Sequence, residues 1–579
     1  MSRRQQLVNP DYRSRETGGV RKKWKGKLSI ALIFPNRYRL GMSNLGFQLV
    51  YGLLNSDPDI VCERVFLPEN DTEQPLSVES GHPLCDFPLI FCSLSFEDDY
   101  PNLLRMLMAG GILPLAKDRQ QQSDSVQPGA PLIVAGGVAT FINPEPLATF
   151  VDLFVLGEAE DILPPVVDLL KELAGGVARG GLLNRLAKDF SGCYVPALYK
   201  PQYDEAGIFQ TFEVGEGLPK QILKVTARRR DVAGHSELLS PDAEFSDLYL
   251  TELGRGCSRG CRFCAAGFVY RPPRLWSADA IVNALEERPA EVRRVGLLGM
   301  EMAKVDDLAV LAEYLITEAC SLSFSSLRAD VIGTRLVELL GKSSLKSAAI
   351  APDGGSERLR RVINKGITEP ELLSAAEALA EVGVSNLKLY YMIGLPTETE
   401  EDLDELVDLT LRIRDRVMEV GRRKGHLGTL TLSINCFVPK PWTPFQFYAF
   451  TPVAVLKKRL QYLRKKFARM PNLRIIADHP DRALFQASLA RGDRRLGPAL
   501  LAFAIKGGNW RQVLKREGLS VEDYALRERG ENESFPWEIV DHGIDRQYLW
   551  REYQKSLESK LTPPCDTSRC KRCGVCDGN

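Results

Sequence analysis

Three cysteines crowd into the segment ELGRGCSRGCRFCAAGFVYRP, which runs from Glu252 to Pro272. Cys257, Cys261 and Cys264 stand in the spacing C-x3-C-x2-C. A structural zinc site needs four ligands, and no histidine or fourth cysteine is near in sequence, so zinc would need a distant fourth ligand. Three thiolates can instead hold three irons of a 4Fe–4S cube and leave the fourth iron open to a substrate. Gly254, Gly256 and Gly260 would let the backbone wrap such a cluster closely. Arg255, Arg259 and Arg262, with nearby backbone N–H groups, would offset its negative charge, and the ring of Phe263 would shield one face.

A second cluster lies at the C-terminus. In CDTSRCKRCGVC, Cys565, Cys570, Cys573 and Cys576 follow the spacing C-x4-C-x2-C-x2-C. Four thiolates suit zinc or a second 4Fe–4S cluster. The dense C-x2-C-x2-C run and Gly574 favour an auxiliary, ferredoxin-like cluster, with zinc or an unligated tail as alternatives. The segment is too short for an apolar core, so a metal would have to organise it. Cys62, Cys85, Cys92, Cys193, Cys320 and Cys436 sit mostly in apolar surroundings and read as small buried hydrophobes.

The elements that must position these thiols are legible as apolar runs. LSIALIFPN (28–36), IVCERVFLP (60–68), LIFCSLS (89–95), PLIVAGG (131–137) and DLFVLGE (152–158) are strands separated by helical patterns. Continuous apolar strands of this kind belong to a parallel sheet covered on both faces. The polar stretch 117–131 reads as a loop. From residue 247 the alternation resumes with DLYLTEL, then strands at 294–300, 323–330, 346–353, 386–396 and 429–441. Six strand–helix units suit a partial barrel whose ligands sit at the C-terminal strand ends. The first cysteine cluster directly follows the first of these strands.

The expected fold class is therefore α/β. An N-terminal doubly wound, Rossmann-like sheet occupies 1–200 and a connector 201–246. A partial (β/α)6 barrel spans 247–450, a mainly helical region 451–560, and a Cys-rich tail 561–579. Lys+Arg and Asp+Glu are equal at 75 each, so no global basic field argues for nucleic acid. The basic runs Arg21–Lys27 and Lys457–Lys466 read as solvated faces, with a nucleic-acid role as the alternative. No apolar run is long enough to span a membrane. The arginine-rich start has no apolar segment behind it, so no signal peptide is expected. A cytoplasmic location follows as an expectation, in which the scattered thiols stay reduced.

Cys257, Cys261, Phe263 and Cys264 match the C-x3-C-x-aromatic-C signature of the radical SAM superfamily, and the chain resembles that superfamily. The resemblance implies that the open iron binds the amino and carboxylate groups of S-adenosylmethionine. An electron from a low-potential flavodoxin or ferredoxin then cleaves it to methionine and a 5′-deoxyadenosyl radical. It also implies S-adenosylmethionine contacts at later strand ends. These are Gly299 and Glu301 in LLGMEM, Ser326 and Arg328, then Asp353, Ser356 and Arg358 in APDGGSERLRRVINKG. Met392, Ile393 and Gly394 in YMIGLP complete the set. The family more often has Glu where Asp353 stands.

The segment from Pro131 to Asp161 resembles the cobalamin-binding-type domain that precedes the barrel in many radical SAM proteins. Ser93, Ser95, Gly136, Gly137, Gly157 and Glu158 end its strands at the carboxyl edge, where such sheets take ligands. The D-x-H-x-x-G segment that supplies a lower cobalt ligand is absent, and His82 lacks that context. Cobalamin held without a histidine ligand, or a sheet that only shapes the substrate cavity, are the two readings. IALIFPNRYRLGMSNLGFQLVYGLLN, CERVFLPEN, FVPKPWTPFQF, LARGDRRLG, FPWEIVDHGIDRQYLWREY and the Cys-rich end together resemble one uncharacterised bacterial group of radical SAM proteins, over nearly the whole chain. The expected function is reductive S-adenosylmethionine cleavage followed by modification of an unknown substrate. Cobalamin-dependent methylation is one alternative, and a non-catalytic electron-transfer or nucleic-acid-binding protein is the rival from another class.

Overall fold

In the computed structural model the described residues are 11–70, 73–175, 177–228, 231–246, 248–299, 301, 305–324, 326–342 and 345–576. The N-terminal sheet forms from β1 (Leu28–Phe34), β2 (Ile60–Phe66), β3 (Leu89–Ser93), β4 (Leu132–Gly136), β5 (Leu153–Val155) and β6 (Cys193–Tyr194), in the order β2-β1-β3-β4-β5-β6. The first five strands are parallel, and β6 closes the edge antiparallel. Their continuous apolar character has a direct cause. Ile30 and Leu32 face one core while Ala31 and Ile33 face another, so both faces are buried.

The second of those cores is shared. It runs on through the barrel and into the C-terminal helices, so the sheet does not stand as a separate body. Helix Leu496–Lys506 packs on helix Tyr100–Ala109, where Arg105 donates from Nε to the Ala504 carbonyl at 3.0 Å. Within 117–131, expected to be a loop throughout, residues Ala116–Gln122 are helical. The turn is polar all round and therefore shows no apolar stripe. What it buries is Arg119, whose guanidinium meets Asp152 and the carbonyls of Leu113, Pro114 and Phe150.

The connector carries the hairpin β7 (Tyr199–Tyr203) and β8 (Phe209–Val214) and the short β9 (Ile222–Leu223). The barrel begins with β10 (Tyr249–Glu252). A small antiparallel pair, β11 (Gly254–Arg255) and β12 (Arg274–Leu275), then pinches the two ends of the cysteine loop together. β13 (Arg294–Leu298) and β14 (Ser321–Phe324) pair with β10 as one parallel sheet. β15 (Ser347–Asp353), β16 (Asn386–Ile393), β17 (Thr429–Cys436) and β18 (Leu473–Ala477) form a second. A parallel bridge from Leu327 to Ile350 joins the two sheets.

Five of the expected barrel strands lie where expected; the third, expected at 323–330, is the shorter and earlier β14, with Leu327 only bridging to Ile350, and β18 is a further strand in the stretch expected to be helical. Along β16 the residues alternate between buried and part-exposed. The buried set packs on the outer helices, and Lys388, Tyr390 and Met392 lie on the other face, toward the barrel interior. The remaining strand, β19 (Val540–Asp541), pairs in parallel with β9. Among the described residues no helix is long and apolar enough to cross a membrane.

Candidate active site

The cysteine loop leaves β10 and turns back through a short helix, Ala266–Val269. Gly256 has φ +82, and a Cβ there would lie 2.5 Å from the Tyr270 carbonyl oxygen, so only glycine fits this approach. Glu301, just past β13, accepts from the Ser258 backbone N–H at 2.7 Å and from the Ser258 hydroxyl at 2.5 Å. Asn364 donates to the carbonyls of Arg259 and Gly260, each at 3.2 Å. The end of β13 and the turn after the helix Glu357–Val362 therefore both hold the loop that carries the thiols.

Burial pushes the Cys257 thiol up to about 12 and the Cys264 thiol up to about 11, with the neighbouring thiols adding to both. At neutral pH these groups hold their protons unless cations replace them, so metal binding here would release protons. Two cations face the loop. Arg328 approaches the Cys261 sulfur at 3.8 Å, and Lys365, buried and ion-paired to Asp353 at 2.6 Å, bears on Cys261 and Cys264. Lys365 and Ser258 were not singled out from the sequence. An "NKG" turn after an arginine-rich helix gives no sign of facing a thiol.

The three loop arginines do something other than balance a cluster. Arg255 pairs with Glu158 at 3.1 Å, Glu160 at 2.7 Å and Glu252 at 3.0 Å. Arg259 pairs with Asp330 at 3.3 Å. Arg262 is fully buried against Glu552 at 3.1 Å and donates to the carbonyls of Arg361, Val362 and Lys560. Each guanidinium already has a carboxylate, so its charge is spent on joining segments. Phe263 packs against the main core.

The residues expected to meet S-adenosylmethionine separate into groups. Gly299 and Glu301 lie beside the cysteine loop, as do Arg328 and Asp353, the latter through Lys365. Ser326 is exposed. Ser356 caps the helix Glu357–Val362, accepting from Leu359, and donates to Asp402 at 2.5 Å. Arg358 pairs with Asp402 and donates to Thr397, so both polar groups are engaged at the start of the next long helix. Met392 lies toward the barrel interior while Ile393 belongs to the core. Gly394 has φ +84 and donates its N–H to Glu398 at 2.6 Å.

A cavity of about 500 Å³ opens between the carboxyl edge of the N-terminal sheet and the barrel. Ser93, Ser95, Gly136, Gly137, Gly157 and Glu158 all line it. Leu49, Val50, Val134, Phe141, Leu163 and Tyr270 give it apolar walls, and Gly299 and Arg255 reach it from the barrel side. Glu158 is bound by Arg274 and Arg255, which hold its carboxyl below the ordinary range against the opposing effect of burial. Its carboxylate thus clamps the sheet to the cysteine loop. His82 is elsewhere, stacked on Trp24 and bonded to Asp86.

The terminal cysteines lie against the same loop. The Cys565 N–H donates to the Ser258 carbonyl at 2.7 Å, and Cys565, Cys570 and Cys573 line one small void with Ser258, Arg259 and Gly260. Arg271, stacked over Phe268 and Tyr548, reaches Cys573. Burial pushes Cys565 up to about 11. Burial raises Cys570 as well, but the side-chain and backbone hydrogen bonds and the charge of Arg572, with a hydrogen bond from Cys565, together hold it below its ordinary value. Among the described residues no three His, Cys, Asp or Glu side chains are gathered as a single-ion site. Of the scattered cysteines, Cys62, Cys92, Cys193, Cys320 and Cys436 are buried as expected, and Cys85 is part-buried.

Comparison with known proteins gives this geometry its setting. Residues 46–196 match the family described as radical SAM proteins, N-terminal, and residues 251–410 match the radical SAM superfamily. The chain belongs to the radical SAM superfamily. An uncharacterised protein of Methanocaldococcus jannaschii is 28% identical over 479 residues, covering 82% of this chain and 90% of that one. A tRNA-2-methylthio-N(6)-dimethylallyladenosine synthase of Desulforamulus reducens is 25% identical over 173 residues, 28% of this chain and 38% of its own length. Among solved structures, the cobalamin-dependent S-adenosylmethionine radical enzyme OxsB aligns with TM-score 0.44 and 15% identity, over 66% of this chain and 52% of that one. Family membership makes the chain an enzyme and implies a 4Fe–4S cluster, S-adenosylmethionine and a reductant.

Proposed function

We propose that Cys257, Cys261 and Cys264 hold the 4Fe–4S cluster and that the enzyme cleaves S-adenosylmethionine to begin a radical modification of its substrate. The observation that carries this reading is the triple-cysteine loop at the end of β10, fixed by Glu301 and Asn364 and faced by Arg328 and Lys365. Once reduced by a low-potential flavodoxin or ferredoxin, such a cluster supplies the electron that splits S-adenosylmethionine into methionine and a 5′-deoxyadenosyl radical. Arg328 and Lys365 lower the cost of keeping thiolates in a buried loop. Gly299 borders the cavity, and Met392 lies on the barrel-interior face of β16. Replacing all three cysteines by Ala should abolish release of 5′-deoxyadenosine under dithionite while the far-UV spectrum stays native. Persistent cleavage in that variant would sink the reading.

A second reading rests on the cavity. Its glycine-edged, apolar space at the sheet's carboxyl edge suits a flat macrocycle, and Ser93, Ser95, Gly136, Gly137, Gly157 and Glu158 would line it. Cobalamin there would support radical methylation. Protein produced with hydroxocobalamin should keep a corrin spectrum through gel filtration, without the signature of a histidine lower ligand. Colourless protein with full S-adenosylmethionine cleavage supports the cavity-shaping alternative. For the tail, the spacing of Cys565, Cys570, Cys573 and Cys576 favours an auxiliary cluster over zinc.

A further inference from the structure

The basic run Arg21–Lys27 lies beside the edge strand β2, and the two border a cleft of about 400 Å³. Exposure alternates along the run. Val20, Lys22 and Trp24 are part-buried, whereas Arg21, Lys23 and Lys25 are exposed. This is the alternation of an extended chain, whose successive side chains point to opposite faces. The inward set is anchored at each position. The Val20 backbone exchanges two hydrogen bonds with the Tyr51 hydroxyl, at 3.0 and 3.2 Å. Lys22 Nζ donates to the carbonyls of Asn55, Asp57 and Ile60 at 2.5, 2.6 and 2.9 Å. Trp24 Nε1 donates to the Glu63 carboxylate at 2.7 Å.

Those anchors fix the backbone from which the other three cations project. Arg21, Lys23 and Lys25 all line the cleft, and among the described residues none of them has an ion pair or a side-chain hydrogen bond. Residues two apart on an extended chain stand about 7 Å apart, so Arg21 and Lys23 are set at that interval, with Lys25 at the turn that follows. Glu63 and Glu79 also line the cleft, but both are buried and engaged. Glu63 accepts from Trp24, Ser77 and Ser80, and Glu79 pairs with Arg64. The charge that the cleft presents to solvent is therefore positive.

An aromatic platform lies in the same cleft. The Trp24 ring stacks on His82 with 4.2 Å between centroids and leans on the buried Phe87 at 4.8 Å. The bond between His82 Nδ1 and Asp86, at 2.7 Å, fixes the imidazole, yet 42% of the His82 side chain stays exposed. Both rings line the cleft. Unpaired cations along an extended track beside an open aromatic ring suit a single-stranded nucleic acid, which puts phosphates on the cations and a base on the ring. An acidic peptide would use the cations and leave the ring idle. A bilayer surface calls for exposed apolar side chains beside the cations, and the two apolar residues here, Val20 and Trp24, are both turned inward.

We propose that this cleft binds single-stranded nucleic acid, with Arg21, Lys23 and Lys25 on its phosphates and one base stacked on His82. The cleft shares no lining residue with the cavity at the sheet's carboxyl edge, so the proposal stands apart from what fills that cavity. No covalent step is involved.

The test is fluorescence polarisation of a short labelled oligouridylate with the full chain over a series of salt concentrations. The unaltered protein should bind it with an affinity that falls as salt rises. The triple variant Arg21→Gln/Lys23→Gln/Lys25→Gln should lose at least tenfold in affinity, and its plot of log affinity against log salt should be shallower by about 2, as expected for three lost phosphate contacts on a single strand. His82→Ala should weaken binding about fivefold without changing that slope, and His82→Phe, which keeps a ring, should restore it. Each altered side chain is exposed or part-buried, so the far-UV spectrum of every variant should stay native. Undiminished binding by the triple variant would overturn the proposal, as would the absence of salt-dependent binding by the unaltered protein. Equal competition by polyglutamate would assign the cations to an acidic protein, and equal competition by phosphatidylglycerol vesicles would assign them to a membrane surface. Equal affinity for an oligoadenylate–oligouridylate duplex would remove the stacked base. Each of these three results also overturns the proposal.

Discussion

The Cys565 amide donates to the Ser258 carbonyl at 2.7 Å, so the first cysteine of the tail is bonded to the residue after the first cysteine of the triple-cysteine loop. Ser258 is held on its other side by Glu301. The loop therefore sits between a barrel strand end and the tail. Arg262 repeats the arrangement by reaching Lys560 and Glu552 from between Cys261 and Phe263.

Metal occupancy of the tail should then be separable from that of the loop but mechanically linked to it. The Cys257, Cys261 and Cys264 triple Ala variant should keep about four irons per chain in the auxiliary-cluster reading. Deleting 561–579 should remove that iron, leave the catalytic cluster assembled and raise hydrogen exchange in residues 256–264. Zinc without iron in the triple variant after anaerobic reconstitution would make the tail a structural zinc module.

Arg262 and Glu552 are both essentially excluded from solvent, at 0% and 2% side-chain exposure. Removing one partner of such a pair leaves a buried charge, at a cost of roughly 3–5 kcal/mol. Lys555 stays on Glu552 at 2.8 Å, so Arg262→Met should lose about 3 kcal/mol in urea unfolding, at the low end of that range. The double variant Arg262→Met/Glu552→Leu should recover most of it. Limited proteolysis should cut the tail of the single variant first.

Glu301 makes two bonds to Ser258, and hydrogen bonds to a charged group contribute about 1.5–3 kcal/mol each. Glu301→Ala should lower iron retained by the loop after desalting several-fold, and Glu301→Gln, which keeps one acceptor, should fall between. Iron content equal to the unaltered protein in both would mean that Asn364, Arg262 and the tail hold the loop without Glu301.

Much of this framework was legible in the residues. The five parallel strands of the N-terminal sheet are continuous apolar runs because both faces are buried, and the barrel strands keep apolar residues at the positions that pack on the outer helices. β18 was hidden because its five residues are part-buried or exposed, none fully buried, and lie between helices. The helix Ala116–Gln122 was hidden because its anchor is a buried arginine, Arg119, where an apolar stripe would ordinarily signal a helix. The loop arginines show the limit at the site. Sequence gives their charge and nearness to the thiols, but their partners Glu158, Asp330 and Glu552 come from distant segments. The pairing of Lys224 with His542 was invisible for the same reason, since only the register of β9 on β19 brings them together.

His542 also fixes a pH dependence. Burial lowers its pKa from the ordinary 6.5 to about 3, with Lys224 adding to the effect and the carbonyls of Phe141 and Val269 opposing it. Between those values the unfolded chain binds a proton that the folded chain refuses, so stability is complete above 6.5 and falls as pH drops. At pH 5 this one residue should cost about 2 kcal/mol relative to pH 7. His542→Phe removes the proton acceptor and should flatten that part of the acid limb. The check is urea unfolding of both proteins at pH 7 and pH 5, compared as differences so that other carboxyls and thiols cancel. If both proteins lose the same stability over that interval, His542 is already protonated in the folded chain.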